Sequence, residues 1–291
     1  MNIVAILPTF NRIEQLKIII KQILSQKLDK NVSLSIVVVV DGNIDNTFEI
    51  LSKDFPEVHT VLGDGNLWYT KSMNLGFLYA QKFNPNYILT LNDDIEIHTD
   101  YISTLISDFV IQRNKNCILG SISISNDESK LIHFAGDLIT GSGIFSYKPI
   151  ISSLKIKYSK SIHNGIYECA NLPGRGMFIP NDLLIKLKYF DQNLPQYGSD
   201  TDFCIRAKKM GIKILISWNA VIKANIGMTR VRSESNGESY FIFLKDLFNI
   251  HSHYSLQKYI YLVYKHSNPF LLLYKVPLYI VQCLYNIYKS N

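Results

Sequence analysis

The run Leu89-Thr90-Leu91-Asn92-Asp93-Asp94-Ile95-Glu96-Ile97 passes abruptly from apolar strand formers to two adjacent carboxylates. Neighbouring negative charges repel, and a hard divalent cation with oxygen ligands relieves the repulsion best where a phosphate completes its shell. A solvated acidic turn gives the same short pattern, so the pair needs support from elsewhere in the chain. That support is positional. Ile3 to Leu7, Leu34 to Val40 and Tyr87 to Leu91 read as buried strands, and Thr9 and Asn11 follow the first, Asp41 the second, and Asp93 and Asp94 the last. A core strand needs no acid at its end, and open α/β sheets bind ligands at the carboxyl ends of their strands.

A second acidic pattern lies in YGSDTDFCIRAKKMG, residues 197 to 211. Ser199 reads as an N-cap, Asp200 and Asp202 as first-turn residues, and Gly211 as the helix stop. Asp202 and Arg206 have the spacing of a helix-surface pair, whereas Asp200 has no partner in sequence. Arg175, in the turn Pro173-Gly174-Arg175-Gly176, is placed to meet a diphosphate or an acceptor, or simply belongs to a turn. Lys71 reaches a phosphate or is solvated. Trp68 and Tyr69 stack on a sugar or base, or begin a helix docked on the sheet. Asn74 and Gly76 have the look of packing residues. His251 and His253, two apart, are expected on different sides of a helix and have no metal spacing.

These residues need a scaffold, and the periodicity supplies one. Strands alternate with helices expected near 16–24, 45–53, 69–81, 100–113 and 181–188, with a shorter strand at 58–62. Uniformly apolar strands joined by helices predict an α/β fold with a Rossmann-like, mostly parallel sheet covered on both faces. The stretch from Cys117 to Tyr167 reads as short strands and loops around Gly136, Gly141 and Gly143. From about Gly237 the chain reads as a helical extension. Its segment from Asn268 to Tyr288 is interrupted by Lys275 and Pro277, so it suits an interfacial helix, or one packed on the catalytic domain or a second subunit.

The 291-residue chain carries a net charge of +6, with 47% hydrophobic and 19% charged residues. This describes a globular protein without a nucleic-acid-binding signature. No acid follows Asp246, whereas Lys258, Lys265, Lys275 and Lys289 do, which would suit an anionic surface. Cys117, Cys169, Cys204 and Cys283 match no zinc spacing and read as reduced thiols. The amino terminus has no signal-peptide pattern, and no window is apolar enough to span a membrane. The expectation is a cytoplasmic protein, soluble or peripheral on the inner face of the membrane, with homo-oligomers left open.

In order along the chain, VAILPTFNR, VVVVDGNIDNT, GNLWYTKSMNLG, LTLNDDIEI, GRGMFIP and YGSDTDFCIRAKKMG resemble the inverting family 2 glycosyltransferases of the GT-A fold. The likeness is looser to bacterial members that transfer rhamnose or galactofuranose. It implies a nucleotide-sugar-binding half at 1–120, an acceptor-binding half at 121–235 and the helical extension at 236–291. It also implies transfer of a sugar from a UDP- or dTDP-linked donor to a glycan or lipid-linked acceptor in surface polysaccharide synthesis.

By the same resemblance Thr9 and Asp41 hold the base, with Asn11 and Arg12 nearby. Asp94 ligates Mn2+ or Mg2+, Asp93 contacts ribose or a metal-bound water, and Asp200 is the general base, kept ionised by its helix terminus. Two positions depart from the pattern. Ser199 replaces an acid, and Ala224 stands where a metal-binding His is common, so that metal coordination is weaker, completed by water, or partly replaced by a cation such as Lys223. A nucleotidyltransferase and a non-catalytic sugar-nucleotide-binding or assembly protein remain alternatives. A dinucleotide oxidoreductase is disfavoured, because Gly63 and Gly65 lack a third glycine and do not follow the first strand.

Overall fold

The computed structural model describes residues 1–112, 116–139, 147–150, 156–224 and 245–288. Gly141, Gly143, Gly237 and Lys289, with the 235/236 boundary, lie outside them. The first half alternates as the periodicity predicts: β1 (Asn2–Phe10), α1 (Ile13–Leu24), β2 (Ser33–Gly42), α2 (Thr47–Asp54), β3 (His59–Leu62), α3 (Trp68–Ala80) and β4 (Tyr87–Thr90). There follow β5 (Ile95–Ile97), α4 (Tyr101–Ile111), β6 (Cys117–Ser125), β7 (Ile132–Phe134), β8 (Asp137–Ile139), β9 (Tyr147–Pro149) and β10 (Ile166–Glu168). Next come β11 (Phe178–Pro180), α5 (Asn181–Lys186), α6 (Ser199–Lys209) and β12 (Lys213–Ala224). After residue 244, α7 (Leu256–His266) and α8 (Leu272–Tyr288) form the carboxyl-terminal extension.

The main sheet has the order β10-β12-β6-β11-β4-β1-β2-β3. β1 pairs in parallel with β2 and β4, β2 with β3, and β12 with β6, while β11 runs antiparallel between β4 and β6. The chain leaves β1 toward β2 on one side and returns as β4 on the other. The ends of β1 and β4 therefore flank a topological switch point.

Alternation along β1 builds a core on each face. Ile3, Ala5 and Leu7 pack with α1 and α4, while Val4 and Ile6 pack with α3, α5 and α6. Helix α3 lies very close to the sheet, because a Cβ on Gly76 would come within 2.5 Å of the Ile6 side chain. Asn74 fixes the same helix by exchanging two hydrogen bonds with the backbone of Phe190, at 2.8 and 3.0 Å. Both residues are packing residues.

Two expectations change here. Cys117–Ser125 is no loop-rich stretch but a nine-residue strand, buried at every position in the middle of the sheet. Its alternating serines disguise it, and burial is tolerated where a hydroxyl has partners, as Ser121 does with the Tyr101 hydroxyl at 2.7 Å. The pair Asp202 and Arg206 forms, at 2.7 Å, but it is not a surface pair. Asp202 is fully buried and also meets Lys265 at 2.6 Å and His266 at 2.7 Å, both from α7.

The extension is thus tied to α6 by charge as well as by apolar contact. Lys275 is buried, Lys258 is buried and Lys265 is ion-paired, so none of these three lies on an anion-facing surface as their sequence pattern suggests. On α8 and the turn before it, Phe270, Leu273, Tyr274, Leu278 and Val281 are exposed. Among the described residues no helix is long and apolar enough to cross a membrane.

Burial raises the Asp202 carboxyl, but His266, Arg206 and Lys265 together outweigh it and hold the group well below the usual carboxylate range. Removing one partner from a buried ion cluster leaves the others uncompensated, so Asp202→Ala should lose about 3–5 kcal/mol at neutral pH. A depressed folded-state value means that this stability is complete above the unfolded-state value of about 4 and is lost as pH falls through the folded one. The gap in urea midpoint between wild type and variant should therefore narrow on acidification.

Candidate active site

The end of β1 is held by the turn that follows β2. Asn11 adopts a positive φ of 50° and its side-chain oxygen accepts from the Ile44 amide at 2.9 Å. Asp45 accepts from the Ile13 amide at the start of α1 (3.0 Å) and from the Thr47 hydroxyl at the start of α2 (2.5 Å). The Asn11 side chain is thus committed to the scaffold. Asp45, which sequence reasoning passed over, joins two helix starts, and its Asp-Asn-Thr spacing is the signal that marks such a turn.

Asp93 faces β1. It accepts from the Thr9 hydroxyl at 2.8 Å and from Arg12 at 3.3 Å. Burial pushes its carboxyl up to about 6 despite Arg12 and Thr9, with Asp94 adding to the rise. Asp41 is buried and its carboxylate accepts from the amides of Gly65, Leu67 and Trp68 at 3.0–3.1 Å. Gly65 has a φ of +84°, and Trp68 has a positive φ of 58° with its indole donating to Asn66 at 2.8 Å. Asp41 therefore shapes the loop that launches α3, beside the groups that the resemblance assigns to the base.

The second cluster brings together residues far apart in sequence. Arg175 is largely buried, and the titratable groups that act on it are Asp94, Tyr69 and Asp200. Its Nε and the Tyr69 hydroxyl are buried without a hydrogen-bond partner. The turn carrying Arg175 presses on Tyr69, since a Cβ on Gly174 would meet the phenol oxygen at 2.0 Å, and Gly176 has a φ of +80°. Asp200 sits in the first turn of α6, where Oδ2 accepts from the Gly174 amide at 3.0 Å and Oδ1 from the Thr201 amide at 2.8 Å. Burial raises its carboxyl, outweighing both amides and Arg175. A carboxyl raised in this way is a stronger base when ionised than a surface one.

Several expectations need correction. Gly198, with φ +91°, precedes α6 where Ser199 was expected to cap it; Ser199 is the first helical residue, buried, with an unpartnered hydroxyl. Lys71 needs no correction: it is exposed on α3, as its solvated reading has it. Ala224 is buried and pairs with Ile95, and strand alternation turns Lys223 outward, away from the role of substitute cation. His251 and His253 are not on a helix. They lie in the turns before α7, where His251 stacks on Trp68 at 3.7 Å between ring centroids and 9° between planes, and His253 meets Tyr197 edge-on at 5.3 Å.

Among the described residues no group of three or more His, Cys, Asp or Glu side chains is arranged to hold a metal. Asp93 is engaged by Thr9 and Arg12, and Asp94 is the carboxylate that the resemblance assigns to a cation. That donor set does not suit a stand-alone metal centre. It fits a hard cation that arrives with a diphosphate, because such ions take one or two carboxylates and fill the rest of the shell with phosphate oxygens and water.

A sheet with this order, carboxylates at the switch point and a carboxylate at a helix start opposite them define the GT-A glycosyltransferase fold. Solved structures agree. The TarS 1-349 structure from S. aureus superposes with a TM-score of 0.52 at 14% identity, over 85% of this chain and 64% of that one. Its complex with UDP-GlcNAc gives 0.53 at 14%, over 92% and 74%. GalNAc-T7 with UDP, GalNAc and Mn2+ gives 0.60 at 12%, over 77% and 44%. The chain thus spans less than two thirds of the first and last of these. No curated protein matches in sequence. The model of glycosyl transferase family 2 matches residues 4–172, more than half of the chain, and the protein belongs to that family.

Asp41→Ala removes a charged acceptor from three amides, and should destabilise the chain by about 1.5–3 kcal/mol. Amide hydrogen exchange should speed up at Gly65, Leu67 and Trp68 before it does so in β1 or β2.

Proposed function

We propose that the protein is an inverting glycosyltransferase that moves a sugar from a UDP- or dTDP-linked donor to a hydroxyl of a glycan or lipid-linked acceptor in surface polysaccharide synthesis. The observation that carries this reading is the convergence of Asp94, Arg175 and Asp200 from the end of β4, the turn before β11 and the start of α6.

Thr9, Arg12 and Asp93 form the nucleoside side, with Asp41 behind the loop that borders it. Arg175 has a buried, unused Nε–H to offer to the diphosphate. A divalent cation held by Asp94, when bound, would offset charge on the departing diphosphate. Asp200 takes the proton of the attacking hydroxyl. The acceptor oxygen forms a bond to the anomeric carbon as the bond from that carbon to the diphosphate breaks, and the electron pair leaves with the nucleoside diphosphate. Attack from the face opposite the leaving group inverts the anomeric centre. The exposed apolar face of α8 supports docking at a membrane surface where a lipid-linked acceptor would reside.

The test begins with UDP and dTDP binding by calorimetry, with and without Mn2+. Binding should strengthen with the cation, and Asp94→Ala should abolish that dependence; nucleotide binding indifferent to both would remove Asp94 from its role. Asp200→Asn should bind the nucleotide as wild type does and turn over about 10²–10⁴-fold more slowly. Full turnover by that variant would overturn the assignment of the base.

A further inference from the structure

One residue beside Asp200 has no part in the reading above and comes from outside the segment matched by the family. Lys258, in the first turn of α7, is 5% exposed. Its ammonium is buried with no hydrogen-bond partner, and it stands 4.7 Å from the centre of the Tyr197 ring. The charged and titratable groups around it are Asp200, Tyr197 and His251. Burial pulls the ammonium down to about 8, with Asp200 opposing, so it is charged at neutral pH.

A buried ammonium without an acceptor is expensive, and a ring face returns only part of what its water supplied. Asp200 does not make up the difference. Its oxygens accept from the amides of Gly174 and Thr201 and not from the ammonium, and its charge is shared with Arg175. During the reaction proposed above Asp200 also takes up a proton and loses its charge, leaving the ammonium without a counter-charge. A neutral hydroxyl would give Lys258 a hydrogen bond but no charge compensation. An anion on the acceptor would give both.

We propose that Lys258 is an acceptor-side specificity residue, and that the acceptor carries an anionic oxygen group, phosphate or carboxylate, next to the hydroxyl that is glycosylated. This rests on the assignment of Asp200 to the acceptor side. The turns at 249–255 precede α7, and His251 in them stacks on Trp68 and feels the charge of Lys258.

The test is calorimetric titration of the full-length chain with inorganic phosphate, in the presence of saturating UDP and Mn2+ and again without them. Wild type should bind phosphate, and Lys258→Met, which keeps the length of the stem, should bind it at least about tenfold more weakly, the loss of one charge-assisted hydrogen bond. UDP affinity should be the same in both. Glycerol 3-phosphate and glucuronate should compete with the bound phosphate and glycerol should not; the stronger of the two anions identifies phosphate or carboxylate.

The proposal is overturned if phosphate does not bind wild type, if Lys258→Met binds it equally, or if glycerol competes as well as the anions. It is also overturned if UDP and phosphate binding fall in parallel, which would place the ammonium on the donor diphosphate. Should Lys258→Met not fold, NMR of lysine-labelled wild type decides, because a buried ammonium resonance must shift on phosphate addition. The outcome is separable from that of the transferase reading: absence of UDP binding counts against the latter alone, while titration without UDP still decides the role of Lys258.

Discussion

Arg175 is the constraint on which this site depends. A guanidinium taken out of water is tolerable only if negative charge accompanies it, and Asp94 after β4 and Asp200 at the start of α6 supply that charge. The turn that carries it must come close to Tyr69, so Gly174 has no room for a side chain, and Gly176 takes a backbone conformation that other residues rarely adopt. The same turn places the Gly174 amide on Asp200. Position of the arginine, orientation of the Asp200 carboxylate and approach of α3 are therefore one problem with one solution.

The extension contributes to that solution. Lys265 and His266 converge on Asp202, two residues beyond Asp200 on the same helix. The charges that anchor α7 thereby steady the first turn of α6, and the anchored helix carries Lys258, on which Asp200 acts, while the turns before it set the His251 ring on Trp68. A helix start with a carboxylate is common, but here the start is clamped from behind by a buried ion cluster. That arrangement links the stability of the extension to the geometry around Asp200.

The first half of the fold was legible because its strands are buried on both faces and its helices carry apolar stripes, so pattern and environment agree. Cys117–Ser125 was not, since a strand whose alternate positions are serines looks half-exposed until hydroxyl partners such as Tyr101 and the Gly176 carbonyl are known. Asp202 misled for the related reason that an i,i+4 acid and base look alike on a wet and on a dry helix face. The lysines after Asp246 misled too: their spacing suggested a basic surface, and packing turned three of them inward.

By itself the sequence determined the alternation of strands and helices, and hence that Thr9, Asp41, Asp93 and Asp94 gather at one edge, because strand ends in a parallel sheet share an edge whatever the loops do. Only the tertiary structure decided what these carboxylates are committed to: Asp41 to three amides, Asp93 to Thr9 and Arg12, Asp200 to an amide from a distant turn. It alone brought Arg175 within the influence of both Asp94 and Asp200, and Lys258 within that of the latter. Burial and the encounter of groups remote in sequence set the charge state and partners of an ionisable group, and neither is encoded in local spacing.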